Sequence, residues 1–350
     1  MKQITFRILD AMARSLGEQL SISGITRAIS KIHKSAFYKN TYDEIKELQQ
    51  KGIIRINEAG NSSFLSLNAS FSGITDIMAE TEIIRKRSLL EHFPNKAIIL
   101  SDIESEFRKS MHFIYSISLI EPERNFRLNR AELLFIIRAS DNEGAPDENI
   151  LIKAMELEKR HGIRIDCLLL DEKKLIEMLS ADEANPVKAM LMDKIAICSP
   201  QEFWAVLMQA MQEGRRILLQ EYIKPRENDL MHNMARFGYR EIGWKPEKAA
   251  NYSIEPLIAE ILAKGSARMN EAVPILLAKN RADYSLLIFL CRRARLAGKL
   301  LGILSAMKKV KSSKELEMAI RIMSGIYGEK EIKADEKSIR QKMKMYNAWQ

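Results

Sequence analysis

At 350 residues, a chain built from domains of about 100–200 residues holds two or three of them, which excludes a single small module. Hydrophobic residues make up 46% and charged residues 29% of the sequence, enough for ordinary cores and too apolar for a mainly disordered chain. The formal net charge is +9, unevenly spread: Lys and Arg over Asp and Glu leave +4 in residues 1–68, −6 in 93–213 and +7 in 281–312. Basic ends around an acidic middle suit a polyanion met by the ends. No apolar run approaches the ~18 residues of a membrane span, and charges interrupt residues 1–7 before a signal-peptide core forms; a cytoplasmic protein without membrane contact is expected. Cys167, Cys198 and Cys291 lie far apart with no CxxC spacing, which argues for three small core residues rather than a disulfide framework or a zinc knuckle.

In chain order, Phe6, Ile8, Leu9, Met12, Ala13 and Leu16 recur at three and four residues, the stripe of a packed helix. Leu20-Ser21-Ile22 reads as a short extended stop, and Ser23 as the cap of a second helix with Ile25, Ala28, Ile29 and Ile32 inward. A third helix carries Phe37, Thr41, Ile45 and Leu48 on its inner face and stops at Lys51-Gly52. Residues 53–57 and 63–67 then flank the turn 58–62, the pattern of a β-hairpin.

Three helices and a hairpin in this order resemble the winged helix-turn-helix family over residues 1–68. The most specific piece is Thr41-Tyr42-Asp43-Glu44-Ile45-Lys46-Glu47-Leu48-Gln49-Gln50-Lys51-Gly52-Ile53-Ile54, which looks like that family's recognition helix entering its wing. In the family this helix lies in the major groove, and its outward residues meet bases and phosphates. The resemblance therefore implies Lys34, Ser35, Tyr38, Lys39, Asn40 and Lys46 as contacts to double-stranded DNA. The three lysines would neutralise phosphate, and Asn40 offers the donor and acceptor pair that reads adenine. Asp43, Glu44 and Glu47 put carboxylates on the same helix, and the hairpin tip has no base. Docking of a protein partner or a second copy of the chain stays open beside DNA.

Residues 69–95 read as one connecting helix with Ile74, Ile77, Met78, Ile83 and Ile84 apolar. A helix at 97–109, a strand at 113–117, a polar excursion holding Arg124, Arg127 and Arg130, and a strand at 133–137 follow. A helix at 148–161, a strand at 164–170, a helix from Asp171 and a strand at 192–198 complete the middle. This order resembles the minimal nucleotidyltransferase superfamily over residues 96–213, which implies a small mixed sheet backed by helices. That family's reaction uses two Mg²⁺ ions held by an Asp-x-Asp pair and a third carboxylate on the next strand. Here Glu132 has Leu134 where its partner should stand, and the first strand runs from Ser116 to Pro122 with no glycine turn for phosphate. Only Asp166 occupies the third position. The resemblance thus implies a catalytically inactive domain without cofactor; the alternative is a nucleotidyltransferase with a non-standard metal site at Glu132 and Asp166. Taken alone, Asp166 reads as a strand-end carboxylate in a cap or surface pair, and the three arginines as a solvated loop or an anion site.

Residues 214–253 read as a linker. Its Arg236-Phe237-Gly238-Tyr239-Arg240 and Trp244-Lys245-Pro246 alternate aromatics with bases, a composition that stacks on single-stranded nucleic acid or docks on a neighbouring domain. From 254 to 327 the apolar period is that of a helical bundle, in which Pro274 opens or kinks a helix. Arg292, Arg293 and Arg295, with Lys299, Lys308, Lys309 and Lys311, form the densest positive charge, a second phosphate-binding surface or a contact for the acidic middle. The basic tail 328–350 reads as frayed or as a lone helix. The five histidines are isolated, and no Walker loop, HExxH or dinucleotide fingerprint appears. The expected fold class is α+β and multidomain. The expected function is DNA binding in a transcriptional regulator that is not an enzyme, with a protein-interaction scaffold as the other alternative.

Overall fold

The computed structural model describes residues 1–59, 62–109, 112–138, 145–241 and 249–348; Trp244-Lys245-Pro246 and the hairpin-tip residues Gly60 and Asn61 lie outside them. The N-terminal elements are α1 (Gln3–Arg14), α2 (Ile22–His33), α3 (Tyr38–Gln50), β1 (Ile54–Ala59), β2 (Ser62–Leu67) and α4 (Ile74–His92). Next come α5 (Ala97–Arg108), β3 (Ile114–Ile120), α6 (Pro122–Arg127), β4 (Arg130–Ile137), α7 (Ala145–His161) and β5 (Arg164–Asp171). The chain continues through α8 (Glu172–Ser180), α9 (Pro186–Met192), β6 (Lys194–Cys198), α10 (Pro200–Gln212), α11 (Glu227–Arg236) and α12 (Ile254–Lys264). It closes with α13 (Ala267–Asn270), α14 (Val273–Lys279), α15 (Tyr284–Arg293), α16 (Ala297–Lys308), α17 (Lys314–Arg321) and α18 (Glu336–Met345). The protein is α+β, and among the described residues no helix is long and apolar enough to cross a membrane. Two compact units divide it: Met1–Ala139 with Leu170–Ala181 and Val187–Glu221, and Ser140–Leu169 with Asp182–Pro186 and Tyr222–Gln350.

In the first unit, α1, α2 and α3 pack on one another around Ile8, Leu9, Ile25, Ile29, Ile45 and Leu48, all buried. Each such side chain contributes about 1.5–3 kcal/mol relative to exposure. Ser21 rather than Ser23 caps α2: its backbone is extended and its Oγ accepts the Gly24 amide at 3.2 Å, while Ser23 already lies in the first turn. The hairpin pairs Ile54 with Leu67 and Ile56 with Leu65, and the Leu65 amide also donates to the Leu20 carbonyl at 2.9 Å, so the extended stop at Leu20 borders the hairpin. Further along, β3 runs antiparallel to β4 on one side and to β6 on the other, and α10 packs against β3 and α4. The run between β3 and β4 is not a loop, because Pro122 sits in the first turn of α6, where a missing amide costs nothing.

In the second unit one hydrophobic core holds Leu230, Leu257, Ile261, Leu276, Leu300 and Leu304. Two sequence expectations change here. The segment read as a linker contains α11, and Tyr239 just after it is fully buried with its hydroxyl donating to Glu241 at 2.7 Å; this ring is packed and unavailable for stacking on nucleic acid. The tail is neither frayed nor alone, since Ile339 and Met343 of α18 enter the same core. Ahead of α18 the chain lies across α16: the Ile332 amide donates to the Gly298 carbonyl at 2.9 Å, and a Cβ on Gly302 would stand 1.8 Å from the Ile332 oxygen. Pro274 occupies the first turn of α14 and opens it rather than kinking it.

Candidate nucleic-acid interface

The α2–α3 corner is built by a left-handed residue. Lys34 (φ 65°) ends α2, and Phe37, in extended backbone, precedes α3. The Phe37 carbonyl is gripped twice, by the Thr41 amide and the Thr41 hydroxyl, each at 3.0 Å. Thr41, Ile45 and Leu48 point inward as the spacing predicts. Phe37 does not: it is 70% exposed, because a residue outside the helix does not share its 100° phase.

Lys34, Ser35, Tyr38, Lys39, Asn40 and Lys46 are all exposed. Tyr38 and Tyr42 stack with ring centroids 6.2 Å apart, and the Lys46 ammonium lies 5.8 Å from the Tyr42 centroid, so positions i, i+4 and i+8 of α3 form one amphipathic stripe. The Arg7 guanidinium donates to the Ser35 carbonyl at 3.4 Å. Of the acidic residues on α3, two are drawn toward α1. Glu44 is buried and accepts from Thr5 and from Lys2 at 3.3 Å. Glu47 accepts from Lys2 and Lys51, each at 2.6 Å, and these lysines bring its carboxyl down to about 2. What remains on the outward face is three lysines, an amide, three aromatic rings and Asp43.

Behind this face lies a buried ionic network that the sequence did not announce. Asp10 of α1 meets Arg85 of α4 at 3.3 Å, Arg14 at 3.1 Å and His33 Nε2 at 3.1 Å. Burial alone would raise the Asp10 carboxyl, but Arg85, the His33 hydrogen bond and Arg14 outweigh it and hold it well below the usual carboxylate range. His33 is thus a network member, contrary to its reading as an isolated histidine. On α4 polar groups share the inner face: Thr81, Glu82 and Arg85 are buried beside Met78, Ala79 and Leu89, while Ile83 is 48% exposed. Glu82 binds the buried Lys194 ammonium and accepts the Ala196 amide at 3.0 Å. Lys194 also lies 3.7 Å from the centroid of Phe203 and 4.8 Å from that of Trp204, a desolvated cation–π arrangement. The available signal was Lys194 itself, standing in the apolar strand Ile195-Ala196-Ile197.

The remaining sequence-predicted residues fall elsewhere. Arg292 is buried, bonds Asp166 and Glu329 at 2.8 Å each and stacks 3.6 Å from the Tyr327 centroid, so it leaves the set of phosphate contacts; Arg293 is half-buried and Arg295 exposed. Asp166 is not a surface carboxylate. It is fully buried and accepts from Arg164 and Arg292 at 2.8 Å, two fixed cations where a metal ion would need its oxygens. Glu132 is buried on β4 with Arg130 at 3.1 Å. Among the described residues no group of three His, Cys, Asp or Glu side chains could hold a metal ion. Cys167 and Cys291 are buried as expected, while Cys198 is half-buried; burial pushes the Cys198 and Cys291 thiols up to about 12. No family model, curated protein or solved structure matches this chain.

Proposed function

We propose that this chain is a duplex-DNA-binding protein of the transcription-regulator class. It acts through a winged helix-turn-helix made of α1, α2, α3 and the β1–β2 hairpin, and residues 96–213 carry a nucleotidyltransferase-like order of elements without its chemistry. The observation that carries the reading is the outward face of α3 and the corner before it. There Lys34, Lys39, Asn40 and Lys46 are exposed together while Glu44 and Glu47 are engaged by Thr5, Lys2 and Lys51. Against nucleotidyl transfer stands the chemistry of the two carboxylates, since Asp166 faces the guanidiniums of Arg164 and Arg292, and Glu132 faces that of Arg130.

In the full chain, Lys39→Ala and Lys46→Ala should each weaken binding to every duplex. Each should also flatten the dependence of log K on log salt by about one unit, the release of one counterion. Asn40→Ala should leave that slope and reduce sequence preference. Exposed Tyr38 and Tyr42 also suit a protein partner; duplex binding unchanged in all three variants would transfer the face to that role.

A further inference from the structure

Among the described residues Phe37 is the most open aromatic side chain, 70% exposed. Leaving that ring in water forgoes about 1.5–3 kcal/mol of burial, and nothing in the local backbone demands a phenylalanine. Its position is nevertheless held firmly, by the double grip of Thr41 on its carbonyl and by Thr41 itself being buried. The ring therefore projects from a rigid corner, one residue before the helix whose exposed Lys39 and Asn40 follow two and three residues later. Lys34 and Ser35, both exposed, stand on its other side.

We infer that Phe37 reads the 5-methyl group of thymine in the major groove. The inference rests on the duplex-DNA reading above and deepens it. A helix entering the major groove presents its first residues to base edges. The groove's apolar feature is the thymine methyl, and an aromatic ring is among the side chains that meet it. Asn40, with its paired donor and acceptor, suits adenine N6 and N7, so the corner as a whole recognises A·T pairs by both a methyl and an amide. The flanking lysines supply the complementary charge on either side of the ring. Phe37 is a specificity-determining residue here, and its exposure in the free chain is the consequence of a partner surface that is apolar only at one methyl.

The test compares two short duplexes of one alternating A·T sequence at low salt, one made with thymine and one with uracil, which differs in the major groove by the methyl alone. The full chain should bind the thymine duplex about fourfold more tightly, the worth of one buried methyl. Phe37→Ala should bind both equally, and Phe37→Leu, still apolar, should keep part of the preference. Because the ring is exposed, neither variant should disturb folding. Equal binding of both duplexes by the unaltered chain overturns the inference and leaves the DNA reading standing. A preference that survives in Phe37→Ala overturns the assignment to this residue. Failure to bind either duplex overturns the DNA reading itself, and the inference with it.

Discussion

Lys194 is buried against two aromatic rings and one carboxylate. Burial pushes its ammonium down to about 8, with Glu82 opposing and Arg85 reinforcing that shift. Below about 8 both the folded and unfolded chains hold this proton; between there and the unfolded value of about 10.4 only the unfolded chain does, so this group makes stability rise with pH across that window. Urea unfolding from pH 7.5 to pH 10 should therefore show the unaltered chain gaining on Lys194→Met as pH rises; a constant difference would mean that the ammonium is not desolvated in solution. Asp10 has the opposite sign. Its depressed carboxyl contributes stability that is present above its unfolded value near pH 4 and lost as pH falls toward the folded one. This layer was hidden in the sequence because its partners are remote: Glu82 and Lys194 are 112 residues apart, and periodicity sees only neighbours.

At the scale of elements, apolar spacing located most helices and strands. It failed where a residue lies just outside a helix, as Phe37 does, or where a helix buries its charges, as α4 does. In α4 the apolar residues named from the sequence include Ile83, which is exposed, while the ionic partners of Glu82 and Arg85 hold those two side chains inside. The exposed members of the candidate site were legible from the family-like order of elements; the engagement of Glu44 and Glu47 was not, since Lys2 approaches from the start of the chain. The glycines of α16 were equally silent. Gly302→Ala should push the segment around Ile332 off the helix, because the new Cβ would meet its carbonyl oxygen, at a cost of about 1–3 kcal/mol. Hydrogen exchange should then accelerate in α18 while α12 stays protected; unchanged protection in α18 would show that the helix does not depend on this approach.

Over the whole molecule, the basic segment of residues 281–312 does not act as one surface. Arg292 is a core ion partner, so Arg292→Ala should lower unfolding free energy by about 1–3 kcal/mol, because Asp166 keeps only its bonds from Arg164, whereas the exposed Arg295 should change it by no more than about 0.5 kcal/mol. Comparable losses in the two variants, read by denaturant unfolding, would contradict the buried pairing. The first 68 residues form a recognisable pattern but are tied into their unit: the Leu219 amide donates to the Leu16 carbonyl at 2.8 Å, and the Ile217 oxygen approaches Gly17 too closely for any side chain. Binding experiments therefore belong to the full chain. The pairing of β3 with β6 also sets an order of birth. Ser116 bonds the carbonyl of Cys198, 82 residues later, so at about 5–20 residues per second of synthesis the central strand waits several seconds for one of its edges. By then α3 has long emerged from the ribosome. The growing chain passes through a stage in which α3 is made while the ionic network behind it still lacks Lys194, an interval in which incompletely packed surface is open to misassembly.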